Sequence, residues 1–228
     1  MYSSGIKSYV LRSGKITIAQ KRSYEKLSGV FCLQINKELS IDYNSVFGNS
    51  NPVIIEIGFG SGTATAQIAE KNPEINYLGI EVYKSGIGKL LWEIDKRGLK
   101  NVRIIEGDAV EVIKMLPKNA AKGFHIFFPD PWPKKRHHKR RLIIRPFTNA
   151  LCNCLIDNGY IYMTTDWEDY ANWAMTELMA TPLLFNQYND FSPAQDWRPQ
   201  TGFERKGLEK NHKIHELFFR KGVVYEKK

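Results

Sequence analysis

From Pro52 onward, short apolar runs alternate with longer stretches in which apolar residues recur at helical spacing. Val53-Ile54-Ile55-Glu56-Ile57, bounded by Asn51-Pro52 and Gly58, reads as a buried strand. Gly58-Phe59-Gly60-Ser61-Gly62 follows, then a predicted helix over Thr63 to Lys71 that Asn72-Pro73 stops. Further strands are predicted at Tyr77 to Glu81, Val102 to Ile105, Phe124 to Phe128 and Tyr160 to Met163. Helices are predicted over Gly88 to Arg97, Val110 to Leu116, Leu142 to Leu155 and Trp167 to Met179. Leu183 to Tyr188 and Lys213 to Arg220 read as two last strands, separated by a loop with Pro193 and Pro199. Such alternation predicts an α/β, Rossmann-like fold: a mostly parallel seven-stranded sheet, helices on both faces, and a terminal antiparallel strand. Residues 1–50 are more polar, with a helix expected near Ser23 to Leu39 that packs on or flanks the core. No internal repeat or low-complexity linker interrupts residues 1–228, so one domain is expected.

Composition narrows the function classes. With 228 residues, 43% hydrophobic and 25% charged, the chain is that of an ordinary soluble protein. Cys32, Cys152 and Cys154 are odd in number and lack paired C-x-x-C spacing, so neither a disulfide framework nor a metal site is predicted. His212 and His215 stand three apart, but Lys213 to Phe219 reads as an edge strand rather than a metal site. The amino-terminal residues contain no apolar targeting core and no run approaches membrane-spanning length, so no membrane partner and a cytoplasmic location are expected. A net charge of +9 points to an anionic partner, and its distribution decides which.

In open α/β sheets, ligands sit outside the carboxyl ends of the strands. Gly58, Gly60 and Gly62 fall at such an end and let the backbone approach a ligand closely. Glu81, about twenty residues on, stands where an acid accepts from both ribose hydroxyls of a nucleoside cofactor. The glycine spacing is G-x-G-x-G, not the G-x-G-x-x-G that seats a pyrophosphate. S-adenosylmethionine has no phosphate, but its sulfonium and ammonium favour carboxylates, and Glu56 precedes the glycines. Asp108, after the third strand, is placed for an adenine amino group or as a cap of the next helix. Glu56 is placed for the cofactor or for a lysine. An acid at or near three successive strand ends favours a methyltransferase over a dehydrogenase.

The fourth strand runs into Phe127-Phe128-Pro129-Asp130-Pro131-Trp132-Pro133-Lys134-Lys135-Arg136-His137-His138-Lys139-Arg140-Arg141. Asp130 leaves at the same carboxyl edge as the glycine turn, beside the expected position of a transferable methyl. The prolines restrict the loop. Trp132 is suited either to stack on a base or to pack the loop down. The basic run has no acid before Asp157 and is read as an RNA contact. If it neutralises about five phosphates, affinity should fall roughly 100–500-fold between 50 and 200 mM salt.

These residues resemble the bacterial-type tRNA (guanine-N7-)-methyltransferases, a class I S-adenosylmethionine-dependent family. The resemblance spans most of the chain: E-I-G-F-G-S-G at 56–62, L-G-I-E at 78–81, F-F-P-D-P-W-P-K-K-R-H at 127–137, T-D-W at 165–167 and T-G-F-E at 201–204. It implies that Glu56, Glu81, Asp108 and Asp130 bind the cofactor and that Asp130 is catalytic. It implies substrate-nucleoside contacts at Lys134, Asp166, Thr201, Gly202, Phe203 and Glu204. RNA contact is implied for Arg136, His137, His138, Lys139, Arg140 and Arg141, and Arg12 looks like the family's N-terminal arginine. Two departures stand out: Leu11 replaces a frequent basic residue, and His138 holds a variable position. The implied target is a guanine in the variable loop of tRNA. Guanine N7 carries no proton, so positioning and electrostatics are expected to matter more than a base. Both monomer and homodimer remain open.

Overall fold

The computed structural model describes residues 7–10, 16–34, 41–209 and 211–223, without the side chains of Phe203 and Lys206. Arg12 and Leu11 lie outside the described residues. Among the described residues β1 (Val53–Ile57), β2 (Asn76–Glu81), β3 (Val102–Glu106), β4 (Ala121–Phe127), β5 (Leu155–Thr165), β6 (Leu184–Asn186) and β7 (His215–Lys221) form one seven-stranded sheet in the order β3-β2-β1-β4-β5-β7-β6, and residues cluster into two compact units.

The first unit comprises Leu11–Pro117 and Gln195–Thr201. Its elements are α1 (Ile18–Phe31), α2 (Tyr43–Phe47), β1 (Val53–Ile57), α3 (Thr63–Lys71), β2 (Asn76–Glu81), α4 (Lys84–Arg97), β3 (Val102–Glu106) and α5 (Ala109–Met115). β1, β2 and β3 pair in parallel, with Ile54 opposite Tyr77 and Leu78 opposite Arg103. Every residue of β1 and β2 is buried, as their continuous apolar runs require for strands covered on both faces. α1 starts five residues before the expected Ser23, because Thr17 and Gln20 form a reciprocal capping box. It stops at Phe31, where the chain turns extended and Leu33 donates to the Ile104 carbonyl at 2.7 Å. α4 likewise begins at Lys84, ahead of the expected Gly88. Gly88 is where α1 crosses it: a Cβ there would lie 2.5 Å from the Gln20 carbonyl oxygen.

The second unit comprises Met1–Val10, Lys118–Ala194 and Gly202–Lys228. Its elements are β4 (Ala121–Phe127), a 3-10 turn at Lys135–Arg140, α6 (Phe147–Cys154), β5 (Leu155–Thr165), α7 (Glu168–Met179), β6 (Leu184–Asn186), α8 (Gly202–Leu208) and β7 (His215–Lys221). β4 and β5 are parallel, and β7 runs antiparallel to β5 and β6. The helix expected from Leu142 begins only at Phe147. Pro146 disfavours helical geometry in the residue before it, and Leu142 and Ile143 are buried in irregular backbone instead. That backbone is satisfied by α7: Ile143 N–H donates to the Tyr170 hydroxyl at 3.2 Å, and Trp173 Nε1 donates to the Ile143 carbonyl at 2.8 Å. α8 was not expected from the sequence. Among the described residues no helix is long and apolar enough to cross a membrane.

Candidate active site

In the first unit Glu56, Glu81 and Asp108 stand at or just beyond the carboxyl ends of three parallel strands. Gly58, Gly60 and Gly62 all adopt positive φ (72°, 58° and 66°), the region glycine enters without a Cβ penalty. Room is as tight as the dihedrals: a Cβ on Gly62 would sit 2.5 Å from Leu90 Cβ. The turn is anchored by Glu81, whose Oε2 accepts from Gly60 N–H at 2.8 Å. Its Oε1 accepts from Val82 and Tyr83 N–H at 2.7 and 3.1 Å. Glu81 is therefore oriented by backbone amides on both of its oxygens.

Glu56 is different. It is 3% exposed, and its Oε2 has no hydrogen-bond partner among the described residues. Burial first, then the Glu81 charge, pushes its pKa up to about 7, with the Thr65 hydroxyl working the other way. Among the described residues no lysine acts on it. Asp108 caps α5, accepting from Val110 N–H at 2.9 Å through Oδ1. A cavity of about 490 Å³ opens beside it, lined by Tyr24, Cys32, Glu106, Gly107 and Met115 among others. Tyr24 donates to Glu106, which pushes the phenol up to about 12, while burial pushes the Cys32 thiol up to about 11. Neither side chain ionises near neutrality.

In the second unit β4 ends at Phe127, and Phe128 N–H closes the strand by donating to the Thr164 carbonyl at 2.9 Å. Phe128 and Trp132 both adopt positive φ, 51° and 47°, which marks the intervening loop as strained. Asp130 is exposed within it. Trp132 is only 9% exposed; its Nε1 donates to the Ser8 carbonyl at 2.9 Å, and the Arg140 guanidinium lies 3.6 Å from its ring centroid. Arg140 itself donates to the Lys7 and Tyr9 carbonyls at 2.9 and 3.0 Å. Residues 7–9 are thus strapped to the loop by two side chains.

Asp166 follows directly after β5, and Trp167 N–H donates back to Thr165 Oγ1 at 3.2 Å. His212 Nδ1 reaches Asp166 Oδ2 at 3.2 Å. Gly202 and Phe203 open α8 and Glu204 is buried in it, whereas Thr201 belongs to the first unit. Phe203's side chain lies outside the described residues. His215 sits in β7 against Phe191, ring centroids 4.8 Å apart. Among the described residues no group of three or more His, Cys, Asp or Glu is arranged to hold a metal ion.

A family described as "Putative methyltransferase" matches residues 50–217. A tRNA (guanine-N(7)-)-methyltransferase from Nitrosomonas eutropha is 46% identical over 219 residues, covering 96% of this chain and 97% of that protein. One from Methylobacillus flagellatus is 43% identical over 218 residues, covering 95% and 91%. The chain belongs to the tRNA (guanine-N(7)-)-methyltransferase family. Solved structures agree on the fold. A 16S rRNA methyltransferase, KamB, aligns with a TM-score of 0.59 at 12% identity, covering 82% of this chain and 96% of that one. An antibiotic-related methyltransferase aligns with a TM-score of 0.53 at 19% identity, covering 87% and 99%.

Membership in the tRNA (guanine-N(7)-)-methyltransferase family makes the basic run's actual disposition informative. Arg141, expected to contact RNA, is corrected: it is fully buried. It donates to the Pro131 carbonyl at 3.0 Å and to Asp169, and its guanidinium lies about 5 Å from the Tyr170 and Trp173 rings. Such enclosure leaves no face for a phosphate. Trp132 likewise takes the packing role rather than the stacking one. His137 and His138 are half-buried, edge-on to Trp132 and Trp173 respectively. His137 is held below its ordinary pKa by desolvation and then by Arg136, Arg140, Lys134 and Lys139. Lys134, Lys135, Arg136 and Lys139 are exposed. The sequence reading missed Asp169, Tyr170 and Trp173 as the cage of Arg141, and His212 as the partner of Asp166; no local pattern marks either.

Proposed function

We propose that this protein transfers the methyl group of S-adenosylmethionine to N7 of a guanine in the variable loop of tRNA. The observation that carries the reading is Glu56: a buried carboxylate oxygen without a partner among the described residues, beside a turn of three positive-φ glycines, in a chain of this family. A buried acid left unpaired is costly unless a cationic ligand completes it. S-adenosylmethionine supplies a methyl group on a sulfonium, together with an ammonium of the kind Glu56 lacks. The residues fit the cofactor. Glu56 holds the ammonium and Glu81 accepts from the ribose hydroxyls. Asp108 accepts from the adenine amino group, and the cavity beside it leaves room for a purine.

The second unit supplies the substrate side. Asp130 and Asp166 accept from the N1–H and exocyclic amino group of guanine, which selects against adenine with its N1 acceptor. Because N7 presents a lone pair and no proton, neither acid acts as a base. Each stabilises the positive charge that develops on the purine, and Asp130 is the catalytic residue. Glu204 and its neighbours in 201–204 complete the nucleoside contacts. Lys134 serves these nucleoside contacts and, with its exposed neighbours Lys135, Arg136 and Lys139, also neutralises phosphates. With four exposed cations rather than five, affinity for tRNA should fall about 50–150-fold between 50 and 200 mM salt. The substrate places the enzyme in the cytoplasm.

The test is methyl transfer from labelled S-adenosylmethionine to unmodified bulk tRNA, followed by nucleoside analysis. The expected product is 7-methylguanosine, and Asp130→Ala should lower the rate at saturating substrates by about 10²–10³-fold. Another methylated nucleoside, or none, removes the proposal; a near-normal rate for Asp130→Ala removes the role of that residue.

A further inference from the structure

His212 is tied into the second unit at two points. Its backbone N–H donates to the Gly207 carbonyl at 3.0 Å, which fixes it at the carboxyl end of α8. Its side-chain Nδ1 lies 3.2 Å from Asp166 Oδ2. An ionised carboxylate only accepts, so Nδ1 carries the proton in this contact whether the ring is neutral or charged. Gly207 brings α8 close to the same acid: a Cβ there would lie 3.1 Å from Asp166 Oδ2. That approach is tighter than a side chain at residue 207 tolerates without movement of the carboxylate.

The His212 contact falls on Oδ2 of Asp166, the oxygen that Gly207 leaves room for, and a carboxylate has acceptor sites on both oxygens. The acid stands on a half-exposed residue just past the end of β5, where rotation about its Cα–Cβ bond is otherwise cheap. α8 carries Gly202, Phe203 and Glu204, part of the motif assigned to the nucleoside. One imidazole therefore links an acid after β5 to the helix that bears Gly202, Phe203 and Glu204.

We propose that His212 is a positioning residue for methyl transfer: it latches Asp166 to the end of α8, so that Asp166 and the Gly202–Glu204 segment meet guanine as one preset surface. The proposal rests on the reading of Asp166 as a guanine contact. tRNA is held mainly through its phosphates, so loss of the latch leaves tRNA binding intact and misorients the base. The effect falls on the chemical step.

The experiment is single-turnover methyl transfer with enzyme in excess over tRNA, whose rate constant does not depend on the fraction of enzyme that is folded. Wild type must first give 7-methylguanosine; if it does not, the proposed function has failed and the latch is overturned with it. Given that product, His212→Leu should slow the step about 10–100-fold. His212→Asn, whose amide nitrogen falls near the Nδ1 position, should recover most of that loss. In an Asp166→Ala background His212→Leu should cost less than about threefold more, because the histidine acts through the acid. If His212→Leu does not fold, His212→Gln takes its place, since its amide reaches toward Nε2 instead. A loss below about tenfold in the wild-type background, no recovery with Asn, or a full additional loss on top of Asp166→Ala overturns the latch.

Discussion

The strand ends of the first unit and the loop after β4 in the second are built by different means. Glu81 and Asp108 are oriented by amides that lie close by: Gly60, Val82 and Tyr83 for one, Val110 for the other. A parallel sheet supplies such amides wherever a strand ends and a helix begins, so acids there need little else to hold them. Residues 129–141 have no such frame. Three prolines remove donors, and the loop is held by side chains meeting distant partners: Trp132 on Ser8, Arg140 on Lys7 and Tyr9, and Arg141 among Asp169, Tyr170 and Trp173. A cationic stretch there serves two purposes at once. Its last two arginines turn inward to hold the loop, and the lysines and arginine before them stay in solvent.

The largest expected effect concerns Glu56, the strand-end acid whose Oε2 has no hydrogen-bond partner among the described residues. Glu56 has a folded pKa raised from near 4.5 to about 7, so the folded state holds its proton more tightly than the unfolded chain does. Its ionisation thus lowers stability as pH rises through that window: no cost below about 4.5, and the full cost above about 7. That cost is on the order of 3 kcal/mol in cofactor-free protein. Chemical denaturation from pH 4.5 to 8 should show the decline in wild type, and Glu56→Gln should flatten it. An equally steep decline in the variant would mean that Glu56 is not the titrating group. Affinity for S-adenosylmethionine should rise over the same window, because its ammonium favours the carboxylate.

Next comes Arg141. Replacing it with Met removes the donor to Pro131 and the partner of Asp169, at a cost of about 2–3 kcal/mol. Asp169 is 62% exposed in its side chain and rehydrates, which keeps the figure below that of a fully buried pair. Thermal denaturation reads it, and an unchanged midpoint would return Arg141 to the surface. Trp132→Phe deletes the indole donor to Ser8 and shrinks the ring beneath Arg140, and should cost about 1–2 kcal/mol, with faster amide exchange around residues 7–10. Unaltered exchange there would show that the strap does not depend on Trp132. The smallest effect on the fold is expected from Lys139→Ala, two positions before Arg141: no change in melting, and a salt slope of tRNA binding reduced by about one. Destabilisation by Lys139→Ala would erase the division within the basic run.

By itself the sequence determined the parallel sheet, the glycine turn and the acids at the strand ends. These follow from constraints a few residues long: apolar runs that are stable only when both faces are covered, and glycines where φ is positive. It also carried the unread signal for the start of α1, in Thr17 and Gln20. Only the tertiary structure decided which cations of the basic run are available to a ligand, and what Asp166 rests against. Arg141 meets Asp169 across 28 positions, and His212 meets Asp166 across 46. Neither pairing leaves a periodic trace, because a buried guanidinium and an exposed one are the same letter. α8 escaped detection for a related reason: seven residues containing two glycines are too short to be helical alone, and it forms where Gly207 and His212 close on Asp166.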